Sequence, residues 1–147
     1  MDYMLELRKL VGHRPLLMVG AAVLILDEQE RLLLLKRSDN GCWGPPGGAV
    51  EPGEGVETAA RREAREETGL EPGELELFGV FSGPELFYRY PNGDEVHNVT
   101  IVYRARPQAG QVRLNEEHTG WKWFARGEIP VEISPPIRPV IRAFLES

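Results

Sequence analysis

Residues 48–70 read GAVEPGEGVETAARREAREETGL, and the helix within them governs how the rest of the chain is read. From Val56 to Thr68 the stretch is built mainly of Ala, Glu and Arg, strong helix formers, and Gly69 supplies the stop. On a wheel, Glu63, Glu66 and Glu67 fall within an arc of roughly 100°. They stand at i, i+3 and i+4, where like charges repel. A solvated acidic face is the ordinary explanation of a Glu-rich helix, but the wheel speaks against it. Val56, Ala59, Ala60 and Leu70 share the side of Glu63 and Glu67, while Glu57, Thr58, Arg61, Arg65 and Thr68 form the natural solvent face. Carboxylates crowded on the inward side need a compensating cation. Magnesium suits them, because it prefers oxygen ligands and keeps waters that phosphate oxygens can replace; manganese is expected to substitute. Arg62, four residues before Glu66, is placed to orient a glutamate or the preceding loop through a bidentate pair.

Working outward, the stretch from Ser38 to Gly55 is rich in glycine and proline, and loops of this length in a compact domain are usually functional. Gly47 and Gly48 let backbone approach a metal or phosphate closely. Glu54 sits beside the positive end of the helix dipole. Upstream, Leu16 to Leu26 is apolar on both parities, which predicts a strand covered on both faces. Asp27 to Glu30 reads as a polar turn, Arg31 to Arg37 as the return strand, and Met1 to Leu10 as a short helix broken at His13-Arg14-Pro15. Downstream, strands are predicted over Leu75–Ser82, Glu85–Tyr90, Glu95–Ala105, Gln111–Leu114 and Gly120–Ala125. Asn92-Gly93 marks a hairpin, and a closing helix is predicted over Pro136–Glu146.

The 147 residues are of a size for one domain, residues 1–147, with a real core. A hydrophobic fraction of 41%, a charged fraction of 27% and a net charge of -6 describe an ordinary globular composition. They exclude the basic footprint that a nucleic-acid polymer requires. One cysteine, Cys42, permits no internal disulfide and fits a reducing, cytoplasmic compartment. Leu16 to Leu26, with 11 residues, is too short to span a bilayer and lacks the basic start and cleavage site of a leader, so no membrane partner is expected. His13, His97 and His118 are not spaced as a zinc pair and read as surface or satisfied histidines.

Gly48, five residues, Glu54, seven residues, then Arg62-Glu63-Ala64-Arg65-Glu66-Glu67-Thr68-Gly69-Leu70 resembles the signature of the Nudix hydrolase family at every fixed position. Trp43-Gly44-Pro45-Pro46-Gly47-Gly48 is similar to the family's lead-in, with Pro45 where an apolar residue is commoner. The resemblance implies an α+β Nudix fold, an α/β/α sandwich around a central mixed sheet, and divalent-metal-dependent hydrolysis of a diphosphate linkage in a small nucleotide-like substrate. It implies Glu63, Glu66 and Glu67 as metal ligands, with the Gly48 carbonyl as a further one, and Glu54 and Arg62 as supporting residues. The general base varies in the family; Glu66 within the box and Glu116 or Glu117 in a later loop are the candidates.

Phe81, Tyr88, Tyr90, Trp121 and Trp123 are candidates to stack a ring, against the commoner role of packing. Arg37, Arg89 and Arg104 are candidates to reach phosphate. Three readings of function stand open: a pyrophosphatase for a nucleoside diphosphate sugar such as ADP-ribose, which is favoured; a nucleoside triphosphate pyrophosphohydrolase acting on modified nucleotides; and a nucleotide-sensing module without catalysis. A homodimer is left open.

Overall fold

The computed structural model describes residues 2–147. In chain order the elements are α1 (Tyr3–Val11), β1 (Leu16–Ile25), β2 (Leu32–Arg37), β3 (Trp43–Gly44), β4 (Gly47–Ala49), α2 (Val56–Thr68), β5 (Glu71–Pro72), β6 (Glu76–Phe81), β7 (Phe87–Arg89), β8 (Glu95–Ala105), β9 (Pro107–Ala109), β10 (His118–Phe124) and α3 (Arg138–Glu146). Single 3-10 turns lie at Pro84–Leu86, Arg126–Glu128 and Pro135–Ile137. The class is α+β, with a mixed sheet between helices.

The double-parity apolar pattern of β1 has a direct structural cause. Ala21, Val23 and Ile25 pack with Ala59, Ala60 and Ala64 of α2. Ala22 and Leu24 pack on the other side with Val140 and Phe144 of α3. Strand β2 divides the same way: Leu33 and Leu35 join the α2 layer, and Leu32 and Leu34 the α3 layer. A strand buried on both faces needs apolar side chains at every position.

In the main sheet, β1 pairs antiparallel with β4 and parallel with β8 over ten positions, from Leu16↔Val96 to Ile25↔Ala105. The other edge of β8 takes β6 and β7, both antiparallel. The expected return of β2 along β1 is corrected here: only the bridge Leu26↔Leu32 joins them. Strand β2 instead lies between β10 and β3 in a second, three-stranded sheet. Its partner Trp121–Phe124 comes from much later in the chain, which a local pattern cannot reveal.

Three further expectations are adjusted. Gln111 to Leu114 is not a strand, because its backbone ties to the end of α2, Arg113 N–H donating to the Thr68 carbonyl at 2.7 Å. Its Val112 and Leu114 pack against the α2-side core. The strand before Asn92-Gly93 is shortened, since Pro84–Leu86 closes a 3-10 turn. The long loop contains two short strands, β3 and β4. The N-terminal helix forms over Tyr3–Val11, capped by the Asp2 carboxylate, which accepts from the Met4 and Leu5 amides; Met1 lies outside the described residues.

Candidate active site

Helix α2 ends where Gly69 takes a left-handed conformation, φ 76°, and a side chain there would meet the Gln111 carbonyl at 2.7 Å. The helix sets its acidic face against β4. Ala21 and Ala22 pair with Gly48 and Gly47, and these small residues let the loop lie close over the sheet. The Gly47 N–H donates to Glu67 Oε1 at 2.8 Å. At Gly48 an added Cβ would fall 2.6 Å from the Glu63 carboxylate. The Glu63 carboxylate would have to move aside for a side chain there, whereas at Gly47 a Cβ would meet the Ala21 carbonyl at 2.7 Å, so close approach of backbone requires glycine at that position.

Arg62 ties helix and loop together. Its Nε and Nη2 donate to the two carboxylate oxygens of Glu54, at 2.7 and 2.9 Å, a bidentate pair. Its Nη1 donates to Glu63 Oε1 at 2.8 Å and stands 3.5 Å from Glu66 Oε2, and Nη2 also reaches the Ala49 carbonyl. The guanidinium thus holds Glu54 and Glu63 in position and braces the loop at Ala49. Glu54 further accepts from the Glu51 N–H. The bond from Arg62 holds the Glu54 carboxyl down at about 2, against the opposing effect of desolvation.

The three box glutamates differ sharply in environment. Glu67 is only 5% exposed. Burial first, then the charges of Glu63 and Glu117, push its carboxyl up to about 8, while the Gly47 N–H and Arg37 pull the other way. Glu63 is also raised, chiefly by burial and secondarily by Glu66 and Glu117, with Arg62 opposing. Glu66 lies at the solvent edge, its side chain 57% exposed. Thr68, expected on the solvent face, is fully buried: its hydroxyl donates to the Ala64 carbonyl at 2.6 Å and accepts from the Leu70 N–H at 3.0 Å. Satisfying its polarity locally lets it turn inward.

Glu116 and Glu117 are both exposed. Only Glu117 has a charge felt at Glu63 and Glu67. Their turn is tied down: the Ser38 amide and hydroxyl both donate to the Glu117 carbonyl, and the Glu117 N–H donates to Asn115 Oδ1.

Gly47, Gly48 and Glu67 open onto a cavity of about 170 Å³. Arg37, His118, Tyr88 and Tyr90 also line it. Arg37 is paired with Asp39; Tyr88 and Tyr90 meet edge to face at 4.8 Å. His118, read as a surface or satisfied residue, has its Nδ1 3.3 Å from Asn115 Oδ1 and also faces this space. The other candidate stacking residues lie elsewhere. Phe81 stacks on Phe78, Trp123 packs on the α2-side core, and Trp121 is exposed on β10 outside the cavity. Arg104 is committed to Glu76. Asn98, Thr100 and Ser134 also line the cavity and were not singled out from sequence. A signal for two of them existed: Asn98 and Thr100 are polar residues on the buried parity of β8, between Val96 and Val102.

The donor set fits a hard divalent ion. Every candidate ligand on α2 offers oxygen, and Glu67 is a carboxylate held against burial with a single amide partner. Among the described residues, no three His, Cys, Asp or Glu side chains already converge as a ligand group.

A model of the NUDIX domain family matches residues 16–144. A Bacillus subtilis protein, provisionally described as an 8-oxo-dGTP diphosphatase, is 35% identical over 126 residues, spanning 85% of this chain and 78% of the relative. An ADP-ribose pyrophosphatase of Methanocaldococcus jannaschii is 37% identical over 109 residues, spanning 72% of this chain and 61% of the relative. A crystal structure of a MutT NUDIX hydrolase from Burkholderia pseudomallei superposes with a TM-score of 0.72 at 33% identity, covering 90% of this chain and 97% of that one. With its box intact on a helix against a glycine pair, the chain belongs to the NUDIX domain family and is a Nudix hydrolase.

Proposed function

We propose that the protein hydrolyses the diphosphate linkage of a nucleoside diphosphate derivative, a nucleotide sugar such as ADP-ribose, acting as a single domain in the cytoplasm. One observation carries the reading: Glu67 of α2 lines a cavity together with Gly47 and Gly48, so a diphosphate at the glycines would place its nucleoside in the space beside it. Glu63, Glu66 and Glu67, with the Gly48 carbonyl, would hold magnesium, which when bound withdraws charge from the phosphates and acidifies water. The chain's own work is positioning and proton transfer. Arg62 keeps Glu63 in place and, through Glu54 and the Ala49 carbonyl, fixes the loop on which the phosphates rest. Water adds to one phosphorus and the bridging P–O bond breaks. A nucleoside monophosphate and a second phosphorylated product leave. The proton of the attacking water passes to Glu117, the loop carboxylate whose charge reaches the box.

Nudix hydrolases generally use divalent metals, and turnover here is expected to need magnesium or manganese and to stop with excess chelator. The likeness to the Bacillus protein supports a second reading, a pyrophosphohydrolase for modified nucleoside triphosphates. A panel of ADP-ribose, other nucleotide sugars and triphosphates, with product analysis, decides. Monophosphate plus sugar phosphate supports the first reading, and monophosphate plus inorganic diphosphate the second. Binding without turnover of any of them supports a sensing module and overturns both.

A further inference from the structure

The cavity has one wall that packing alone does not explain. Strand β8 places Asn98 and Thr100 there, each only 9% exposed. The Asn98 Nδ2 donates to the Leu86 carbonyl at 2.9 Å. That bond fixes the orientation of the carboxamide by committing its nitrogen to the 3-10 turn. No protein donor among the described residues reaches its Oδ1. The Thr100 hydroxyl likewise has no protein partner among the described residues, and Ser134 Oγ, also on the cavity, is buried with none. A buried polar atom without a partner is costly, and packing alone would favour valine over polar side chains at the two strand positions. Among the described residues Ser134 Oγ alone is such an atom, and Asn98 and Thr100 line the same cavity beside it, so three polar side chains share one wall.

Their chemistry narrows the ligand. Asn98 offers a fixed acceptor, and two hydroxyls beside it are free to donate. The edge of adenine carries an amine donor between two ring-nitrogen acceptors and no carbonyl. A base with a carbonyl in place of the amine would set oxygen against oxygen at Asn98. We propose that Asn98 is a specificity-determining residue, its Oδ1 accepting from the exocyclic amine of an adenine seated in this cavity, with Thr100 and Ser134 donating to the ring. The inference rests on the reading above, in which the diphosphate lies at Gly47 and Gly48. It makes the enzyme selective for the base and tolerant of the group beyond the diphosphate, whose side of the site, at Glu66, is open to solvent.

The test compares AMP with purine riboside 5′-monophosphate, which differ only in the amine, by titration calorimetry of the full chain in metal-free buffer. AMP is expected to bind at least about tenfold more tightly, the scale on which a site built for a hydrogen bond rejects a ligand lacking it. IMP, with a carbonyl at that position, should bind no better than the amine-free compound. In Asn98→Leu the preference for AMP should collapse while the affinity for the amine-free compound is kept. Should that variant fail to fold, because the Leu86 carbonyl loses its donor, the wild-type comparison decides alone. Equal binding of the two ligands, tighter binding of IMP, or no binding of AMP overturns the assignment. Turnover of the substrate panel with magnesium is scored separately. An AMP preference without turnover sinks the hydrolytic reading and leaves Asn98 standing, and turnover without an AMP preference does the reverse.

Discussion

Burial raises the carboxyls of Glu63 and Glu67 whereas Arg62 lowers that of Glu54, and that difference can be measured. Glu63→Gln and Glu67→Gln each remove a charge while keeping side-chain shape, and in the second the new carboxamide oxygen can still accept from the Gly47 N–H. Turnover should fall about 100-fold or more, the scale of losing one strong electrostatic contact in a reacting site. Thermal stability should hold or rise, because a crowded, desolvated carboxylate is neutralised. Arg65→Ala, on the exposed side of α2, is the control and should keep its rate; near-wild-type turnover in either glutamine variant would remove that residue from the site. Glu117→Gln should lower the rate with substrate affinity largely kept, whereas Glu116→Gln should be nearly silent. If the two behave alike, the base lies within the box, with Glu66 next to be tested. At this scale the sequence was informative where spacing alone carries meaning. The i, i+3, i+4 pattern located the glutamates, but their ranking from buried to exposed depended on the packing of β4 over α2. Asn98 was legible as a polar residue in the same parity of β8 as Val96 and Val102; Ser134 was not, since nothing local marks a serine between Ile133 and Pro135 as facing a cavity.

Helix α2 and the loop before it behave as one element because Arg62 spans them. The Glu54 carboxyl sits near 2 in the folded chain against an ordinary 4.5, owing to Arg62. A carboxyl depressed on folding contributes stability that is fully present above the unfolded value and is lost as pH falls through the folded one. The pair should therefore support the fold above pH 4.5 and cease to do so as pH drops towards 2. Melting temperatures recorded across that window should fall less steeply for Glu54→Gln than for wild type, the variant being the less stable at neutral pH. Parallel curves would mean that the pair contributes nothing to folding. The bounds of α2 and its glycine stop were legible because propensity, charge and cap agree. The short strands β3 and β4 were not, since a glycine-proline stretch acquires sheet pairing only once its partner strands are beside it.

For the molecule as a whole, the sequence foretold layers but not partners. Both faces of β1 and β2 announced helices on either side, and α2 and α3 are there. Which strands would lie side by side depended on contacts between distant segments. That is why β2 was expected beside β1 and stands instead beside β10. The candidate cavity inherits this dependence: its walls come from β1, β2, the loop, α2, β7, β8, β10 and the segment before α3.

The parallel pairing of β1 with β8 brings together positions as far apart as Leu16 and Val96, with the glutamate helix lying in between. Closing so long a loop costs entropy before any contact rewards it, and pairings of this kind are slow to form. On dilution from denaturant, helical ellipticity should return before the capacity to bind nucleotide, because α2 is local and the cavity is not. Recovery of binding in step with the earliest helical signal would show that the pocket precedes the strand pairing. The delay has a bearing on synthesis too. A ribosome releasing the chain as far as Leu70 has already made the whole glutamate-bearing box, yet the cavity beside it has no complete wall until β8 and the residues after it have emerged.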